Sequence, residues 1–341
     1  MQVFSKKHAP WLPTVVKFFG DIGAGEPYFF ASLVLVITGH HYEFNKFLVT
    51  FLFCLVLNHV LKLAIMHPRP YFLNKFIAQS EVLDCSAEFG NPSGHSVMAA
   101  TVFFFYRHSF FKNGLKNLIF TLFMMLAIGM SRVFGGMHSL DQLILGWSIG
   151  YWCFSFSNKF LVPHFVNKFT VTARTDAWEA FMRGLVFTLM TYLTIFFLVF
   201  YLEGQVPLLW HQNVEYLCPN LESAEKFHTH ALNGSGHIII LTSLPFGALI
   251  GQKLFKTSFE FDNRKKRSWT QIIVALLMFL LLDEFFGSLM PQLLFGTKNL
   301  DIIKDLVFKK MGFGFSLGIL TNGFLNTLVS KISPLQGDAT I

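Results

Sequence analysis

Ser131-Arg132-Val133-Phe134-Gly135-Gly136-Met137-His138-Ser139-Leu140-Asp141-Gln142 is a polar junction set between two apolar runs, 118–130 and 143–157. An arginine and a histidine stand six residues apart around two glycines that let the chain turn. Two upstream stretches have the same character. Lys62 and Arg69 lie seven apart at the end of the apolar run 47–61, and Pro92-Ser93-Gly94-His95 opens the run 97–106. Further apolar runs fall at 28–39, 181–202, 236–251, 270–290 and 311–329. Several approach the roughly 20 residues that cross a bilayer core; others are shorter and borrow flanking Gly, Ser or aromatic residues. The expected fold is therefore all-α: a polytopic transmembrane helical bundle of about nine spans, with the three motif stretches in the first five.

Composition leaves no room for a water-soluble alternative. The chain is 53% hydrophobic and 14% charged, where a soluble domain carries about 25% charged residues. Its mean hydropathy is +0.49. The 43 phenylalanines read as lipid-facing and interhelical packing. Lys6, Lys7, Pro10, Pro13 and Lys17 interrupt any apolar leader, so no cleavable signal peptide is expected and the first span serves as the anchor. A net charge of +7 does not indicate nucleic acid, because the basic residues are dispersed over loops. The exception, Arg264-Lys265-Lys266-Arg267, flanks a span and fits a topology signal or a contact with anionic lipid. No internal repeat or linker divides the chain. Residues 1–160 are read as a core holding every motif, and 161–341 as additional helices completing the same membrane domain.

Topology follows from the loops. With Lys62, Arg69 and Arg132 set aside as chemical groups, the loops on the motif face hold 9 Lys and Arg against 15 on the other face. The positive-inside rule places the richer face in the cytosol and the motifs on the lumenal or outer side. The endoplasmic reticulum is the expected membrane. Cys85 and Cys218 fall in loops on that motif face, where a disulfide is permitted but spacing alone cannot establish reach. Cys54 and Cys153 lie within spans as small apolar residues.

The motif residues suit a phosphate ester. Lys62, Arg69 and Arg132 supply charge-assisted donors, and an arginine fork matches a phosphoryl group bidentately. Pro92-Ser93-Gly94-His95 makes a helix start whose free N–H groups and dipole favour an anion. Two histidines divide the labour of transfer: one attacks phosphorus while the other protonates the leaving oxygen and then activates water. An attacking imidazole must be neutral, with its far nitrogen held by an acceptor. For His138 that acceptor is either Asp141 or the Gln142 side-chain oxygen. Metal is not expected, since the histidines have cations and no carboxylate cluster beside them. No cofactor is expected either. The remaining histidines, His67 among them, lack such company and read as interface or loop positions. Asp283 and Glu284, inside an apolar run, either pair with a cation or line a pocket.

Lys62…Arg69-Pro70, Pro92-Ser93-Gly94-His95 and Ser131-Arg132…His138 together resemble the phosphatidic acid phosphatase type 2 superfamily. The resemblance covers 62–142 directly and the flanking helices to about 157. It implies a helical bundle with a metal-free site at the membrane surface, His138 as nucleophile and His95 as general acid/base. Lys62, Arg69, Ser93, Gly94 and Arg132 would cradle the phosphate. It implies a small phosphate ester or a lipid phosphate as substrate and membrane lipids as surroundings, and leaves the oligomeric state open. The soluble vanadium haloperoxidase branch is set aside. One position departs: the family usually has Asp four residues after the nucleophile, where this chain has Gln142. Glutamine there is similar to glucose-6-phosphatases and dolichyl-diphosphate phosphatases. The Arg69-to-Phe72 run and the Leu208-to-Cys218 loop also look glucose-6-phosphatase-like. Gly136-Met137-His138-Ser139 instead resembles the sphingoid-base-phosphate phosphatases. The expectation is a phosphomonoesterase, with a sugar phosphate such as glucose 6-phosphate first and a lipid phosphate (phosphatidic acid, a sphingoid base 1-phosphate or a polyprenyl diphosphate) as the alternative. A non-catalytic transporter or scaffold is the reading from a different class.

Overall fold

A computed structural model describes residues 10–38, 40–78, 82–86, 88–111, 114–168 and 206–218. Among these residues every regular element is a helix. In chain order they are α1 (Leu12–Ile22), α2 (Gly25–Ile37), α3 (His41–Ile65) and α4 (Pro70–Leu73). A 3-10 turn (Lys75–Ile77), α5 (Gly94–Ser109), α6 (Leu115–Phe134) and α7 (Leu140–Phe156) follow. A π-helical continuation (Ser157–Lys168) and α8 (Leu208–Leu217) complete them. The expected spans beyond 168, with Asp283 and Glu284, lie outside the described residues.

Two described segments, Tyr42–Leu73 and Leu115–Phe134, are long and apolar enough to cross a membrane. On α6, Leu115, Ile119, Phe120, Phe123 and Leu126 are all exposed. So continuous an apolar surface suits hydrocarbon rather than water.

The chain falls into two compact units. The site lies in the first, which comprises the described residues up to 31, from 49 to 162 and from 206 to 218. Its centre is the packing of α5 on α7. Helices in lipid gain little from hiding apolar surface from one another, so association depends on close approach and interhelical hydrogen bonds. The buried face of α7 accordingly carries Gln142, Leu143, Gly146, Gly150 and Cys153. A side chain at Gly150 would collide with the Val97 carbonyl of α5. Thr101 Oγ1 donates to the Gly150 carbonyl at 3.1 Å, and Cys54 of α3 packs with Val97 and Cys153. These contacts fix the N-termini of α5 and α7 side by side. In the second unit, Lys46 pairs with Glu43 at 3.0 Å, a local contact on the first turns of α3.

Three stretches differ from the sequence expectation. α1 was hidden by Pro13 and Lys17, yet proline is tolerated in a first turn and here stands in one. α1 contributes Gly20 and Gly23 to the wall beside Arg132 and His95. Lys62, expected in a loop, sits in the last turn of α3, which runs to Ile65. The loop expected over 208–218 holds α8, whose Trp210 and Val214 pack against Phe72.

Candidate active site

Each motif residue is placed by the end of a helix. Lys62 leaves the last turn of α3, and Arg69 stands immediately before α4 in extended backbone. Ser93 occupies the N-cap of α5, with Gly94 and His95 in its first turn. Arg132 ends α6 and Ser139 caps α7. Gly136, at φ 74°, makes the turn between them. A Cβ there would stand 2.6 Å from the Ile77 carbonyl, so the reversal requires glycine. The turn folds back on α6: Met137 and His138 N–H both donate to the Arg132 carbonyl, at 3.0 and 3.3 Å.

The structure brings Lys62, Arg69, Ser93, Gly94, His95, Arg132, His138 and Gln142 to one place. Lys62 Nζ would lie 3.7 Å from a Cβ on Gly94, so the ammonium stands over the start of α5. All three cations are buried. Ser93 Oγ and Arg132 Nε are buried without a hydrogen-bond partner among the described residues. A helix start, an unpartnered serine hydroxyl and three cations thus converge on one point, a donor set matched to a tetrahedral oxyanion.

His138 stands just before the N-cap of α7 and Gln142 in its first turn, and the glutamine Oε1 lies 3.0 Å from His138 Nδ1. The same oxygen accepts the Ser139 N–H at 3.3 Å. Asp141, the other orienting group considered, is exposed in the first turn of α7. The reason is angular: successive helix residues are about 100° apart, so the chain gives one of the pair to His138 and the other to the surface. Asp141 is thus corrected from an orienting group to a residue suited to the helix dipole.

Burial first, then the positive charges of Arg69, Arg132 and Lys62, hold the His138 pKa well below its ordinary value. His95 is shifted the same way, by burial and then by Arg132, Arg69 and Lys62. Both rings are therefore neutral in the free site at pH 7. No three His, Cys, Asp or Glu side chains gather as a metal site among the described residues.

Sequence reading missed the carboxylates of this site. Residues 82–86 and 88–90 run across it as a strap, and its two acids meet two of the cations. Glu88 pairs with Lys62, and Asp84 Oδ2 accepts from Arg132 Nη2 at 3.0 Å. Arg69 holds the strap backbone: its Nε donates to the Glu88 carbonyl at 2.8 Å and its Nη2 to Ser86 Oγ at 3.2 Å. Tyr71 OH donates to the Ser86 carbonyl. The strap is tied to α8 by a disulfide between Cys85 and Cys218, the pairing that spacing had left open. His67, two residues before Arg69, was also passed over. The available signal was position alone: these residues fall inside or between the motifs.

Residues 43–165 match the PAP2 superfamily. Phosphatidylglycerophosphatase B of Bacillus subtilis (strain 168) is 30% identical over 172 residues, covering 47% of this chain and 77% of that protein. No solved structure matches the chain significantly. The chain belongs to the PAP2 superfamily. It is accordingly a phosphatase, of the phosphoric monoester hydrolase class.

Proposed function

We propose that this membrane phosphatase hydrolyses a phosphomonoester through a phospho-histidine on His138. The contact between His138 Nδ1 and Gln142 Oε1 carries the reading. An amide oxygen can only accept, so the ring carries its proton on Nδ1 and leaves the Nε2 lone pair free. Lys62, Arg69, Arg132, Ser93 Oγ and the Gly94 N–H hold the phosphoryl oxygens. Nε2 of His138 forms a bond to phosphorus as the bond to the ester oxygen breaks. His95 is neutral in the free site because it is buried and three cations face it. The incoming phosphate dianion offsets them, so His95 gains a proton with the substrate and delivers it to the leaving oxygen. Water then attacks the phospho-histidine, His95 takes its proton, and inorganic phosphate departs. His138 is restored.

For substrate the proposal is a lipid phosphate. The relative's name supports it, and so does the surface beside the site: Leu73, Phe76 and Ile77, just after Arg69, are exposed and apolar. A lipid tail can lie there while its phosphate reaches the cations. A sugar phosphate is the second reading, favoured by glutamine rather than aspartate in the orienting place. The site is proposed to face the lumen or exterior. The Cys85–Cys218 disulfide needs an oxidising compartment, and the loop charges point the same way.

Phosphate release by detergent-purified protein tests this. The panel is phosphatidylglycerophosphate, phosphatidic acid, sphingosine 1-phosphate, a dolichyl diphosphate and glucose 6-phosphate, each with a His138→Ala control. Turnover of lipids alone is expected, with an acid-labile phosphoenzyme that His138→Ala lacks and a rate reduced by at least roughly 10³-fold. Turnover of glucose 6-phosphate alone would move the substrate to the second reading. Undiminished turnover by His138→Ala would remove the nucleophile.

A further inference from the structure

A glutamine amide turned by half a rotation exchanges oxygen and nitrogen with almost no change of shape. Only one orientation serves His138. With Oε1 toward the ring, Nδ1 keeps the proton and Nε2 is free to attack. With the NH2 group toward the ring, Nδ1 must accept and the proton moves to the attacking nitrogen. The Ser139 N–H favours the first orientation from the oxygen side at 3.3 Å, and the groups around the NH2 decide how firmly it is held.

Two acceptors meet the NH2 group. Gln142 Nε2 lies 2.8 Å from the Pro68 carbonyl and 3.1 Å from His67 Nδ1. An amide NH2 has two hydrogens, and these two acceptors take both. The surroundings hold the arrangement in place: Gly90 N–H donates to the His67 carbonyl at 2.8 Å, and Ser93 N–H donates to the Gln142 carbonyl at 3.2 Å. A Cβ at Gly90 would sit 2.7 Å from Gln142 Nε2 and 2.8 Å from its Oε1, so the strap keeps the amide in place and leaves it only the exchange of oxygen and nitrogen.

We propose that His67 is a positioning residue for the reaction: by accepting from Gln142 Nε2 it fixes the amide orientation and thereby the tautomer of His138. The inference rests on His138 as nucleophile. His67 acts with Nδ1 unprotonated, since a proton there would set donor against donor. Its ring is exposed, so it contributes direction rather than core packing. Pro68 alone takes one amide hydrogen; His67 takes the second and makes the flipped orientation cost two acceptor contacts instead of one.

The test compares His67→Ala and His67→Asn in the full-length protein, with His138→Ala alongside. Asparagine is the informative variant because its Oδ1 occupies nearly the place of imidazole Nδ1. His67→Ala is expected to lower kcat roughly tenfold, the scale of one lost hydrogen bond to a buried donor, with KM unchanged. Phosphoenzyme formation should slow by the same factor. In ¹⁵N-histidine spectra, the His138 signals should move toward the Nε2–H tautomer. His67→Asn should restore most of the rate and the His138 signals. Wild-type kcat in His67→Ala overturns the proposal, provided His138→Ala is inert. A loss that asparagine fails to recover, accompanied by a lowered melting temperature, also overturns it and assigns His67 to packing. An active His138→Ala instead overturns the nucleophile reading on which the proposal stands.

Discussion

The strap presents the same chemistry twice with different surroundings. Glu88 meets Lys62 with side-chain exposures of 25% and 6%; Asp84 meets Arg132 with exposures of 62% and 4%. The two cations are almost equally hidden, but Glu88 is mostly covered and Asp84 is mostly exposed. For Glu88, burial pushes the carboxyl pKa upward, and the charge and hydrogen bond of Lys62 together with the nearby His59 and Arg69 outweigh it, leaving the group below its ordinary range. Asp84 lies largely in solvent, where water competes for both partners and salt screens their attraction. Glu88 therefore belongs to the architecture of the site. Asp84 rests on its rim, and a substrate phosphoryl oxygen is expected to compete with it for Arg132.

The sharpest way to break this contrast is Glu88→Ala. Removing one partner of a largely buried pair leaves the other charge uncompensated, a cost of 3–5 kcal/mol for full burial. The quarter exposure of Glu88 reduces that, and about 2 kcal/mol of lost stability is expected. A melting curve in detergent reads it, and an unchanged midpoint would show that water reaches Lys62 freely.

Acid sharpens the same point. The Glu88 pKa is lower in the folded chain than its ordinary value of 4.5. Below that value the unfolded chain binds the proton first, so stability is full above about pH 4.5 and falls as pH drops toward the folded value. In Glu88→Gln this part of the acid slope should vanish; a slope identical to wild type would assign it to other groups. His138 gives a kinetic counterpart. Because its pKa is also lowered, the acid limb of kcat/KM, expressed per phosphate dianion, should lie below the ordinary imidazole value of about 6.5. A limb at or above that value would mean that neither burial nor the cations depress the nucleophile.

The difference between the two pairs also shows which parts of the site the sequence could reveal. Helix ends announce themselves: Pro92-Ser93-Gly94 marks the start of α5, and the glycines at 135 and 136 mark the turn after α6. Charges at those ends, Lys62, Arg69 and Arg132, are conspicuous because an apolar run makes them costly. The strap acids lie in a polar stretch, where carboxylates are ordinary, and only the fold shows that they face cations. His67 and Gln142 are 75 residues apart, and no local periodicity links them. The choice between Asp141 and Gln142 needed the rotation of α7 about its axis. Cys85 and Cys218 needed the docking of α8 against α4, in a segment too polar and too short to read as a helix.

The smallest expected effect belongs to Asp84→Asn, and its sign carries the argument. If Asp84 chiefly positioned Arg132, the amide would loosen the guanidinium and weaken every anion that binds there. If Asp84 is instead an exchangeable anion, its loss removes a competitor. Stability should then change by less than about 0.5 kcal/mol, as for a solvent-exposed pair, while vanadate or inorganic phosphate inhibits at severalfold lower concentration. The same competition predicts that salt narrows the difference between Asp84→Asn and wild type, because screening already weakens the exposed pair. Glu88→Gln should show the opposite pattern, losing stability before it gains any affinity. Should vanadate bind Asp84→Asn more weakly than wild type, the rim pair is structural after all, and the two contacts differ in exposure without differing in role.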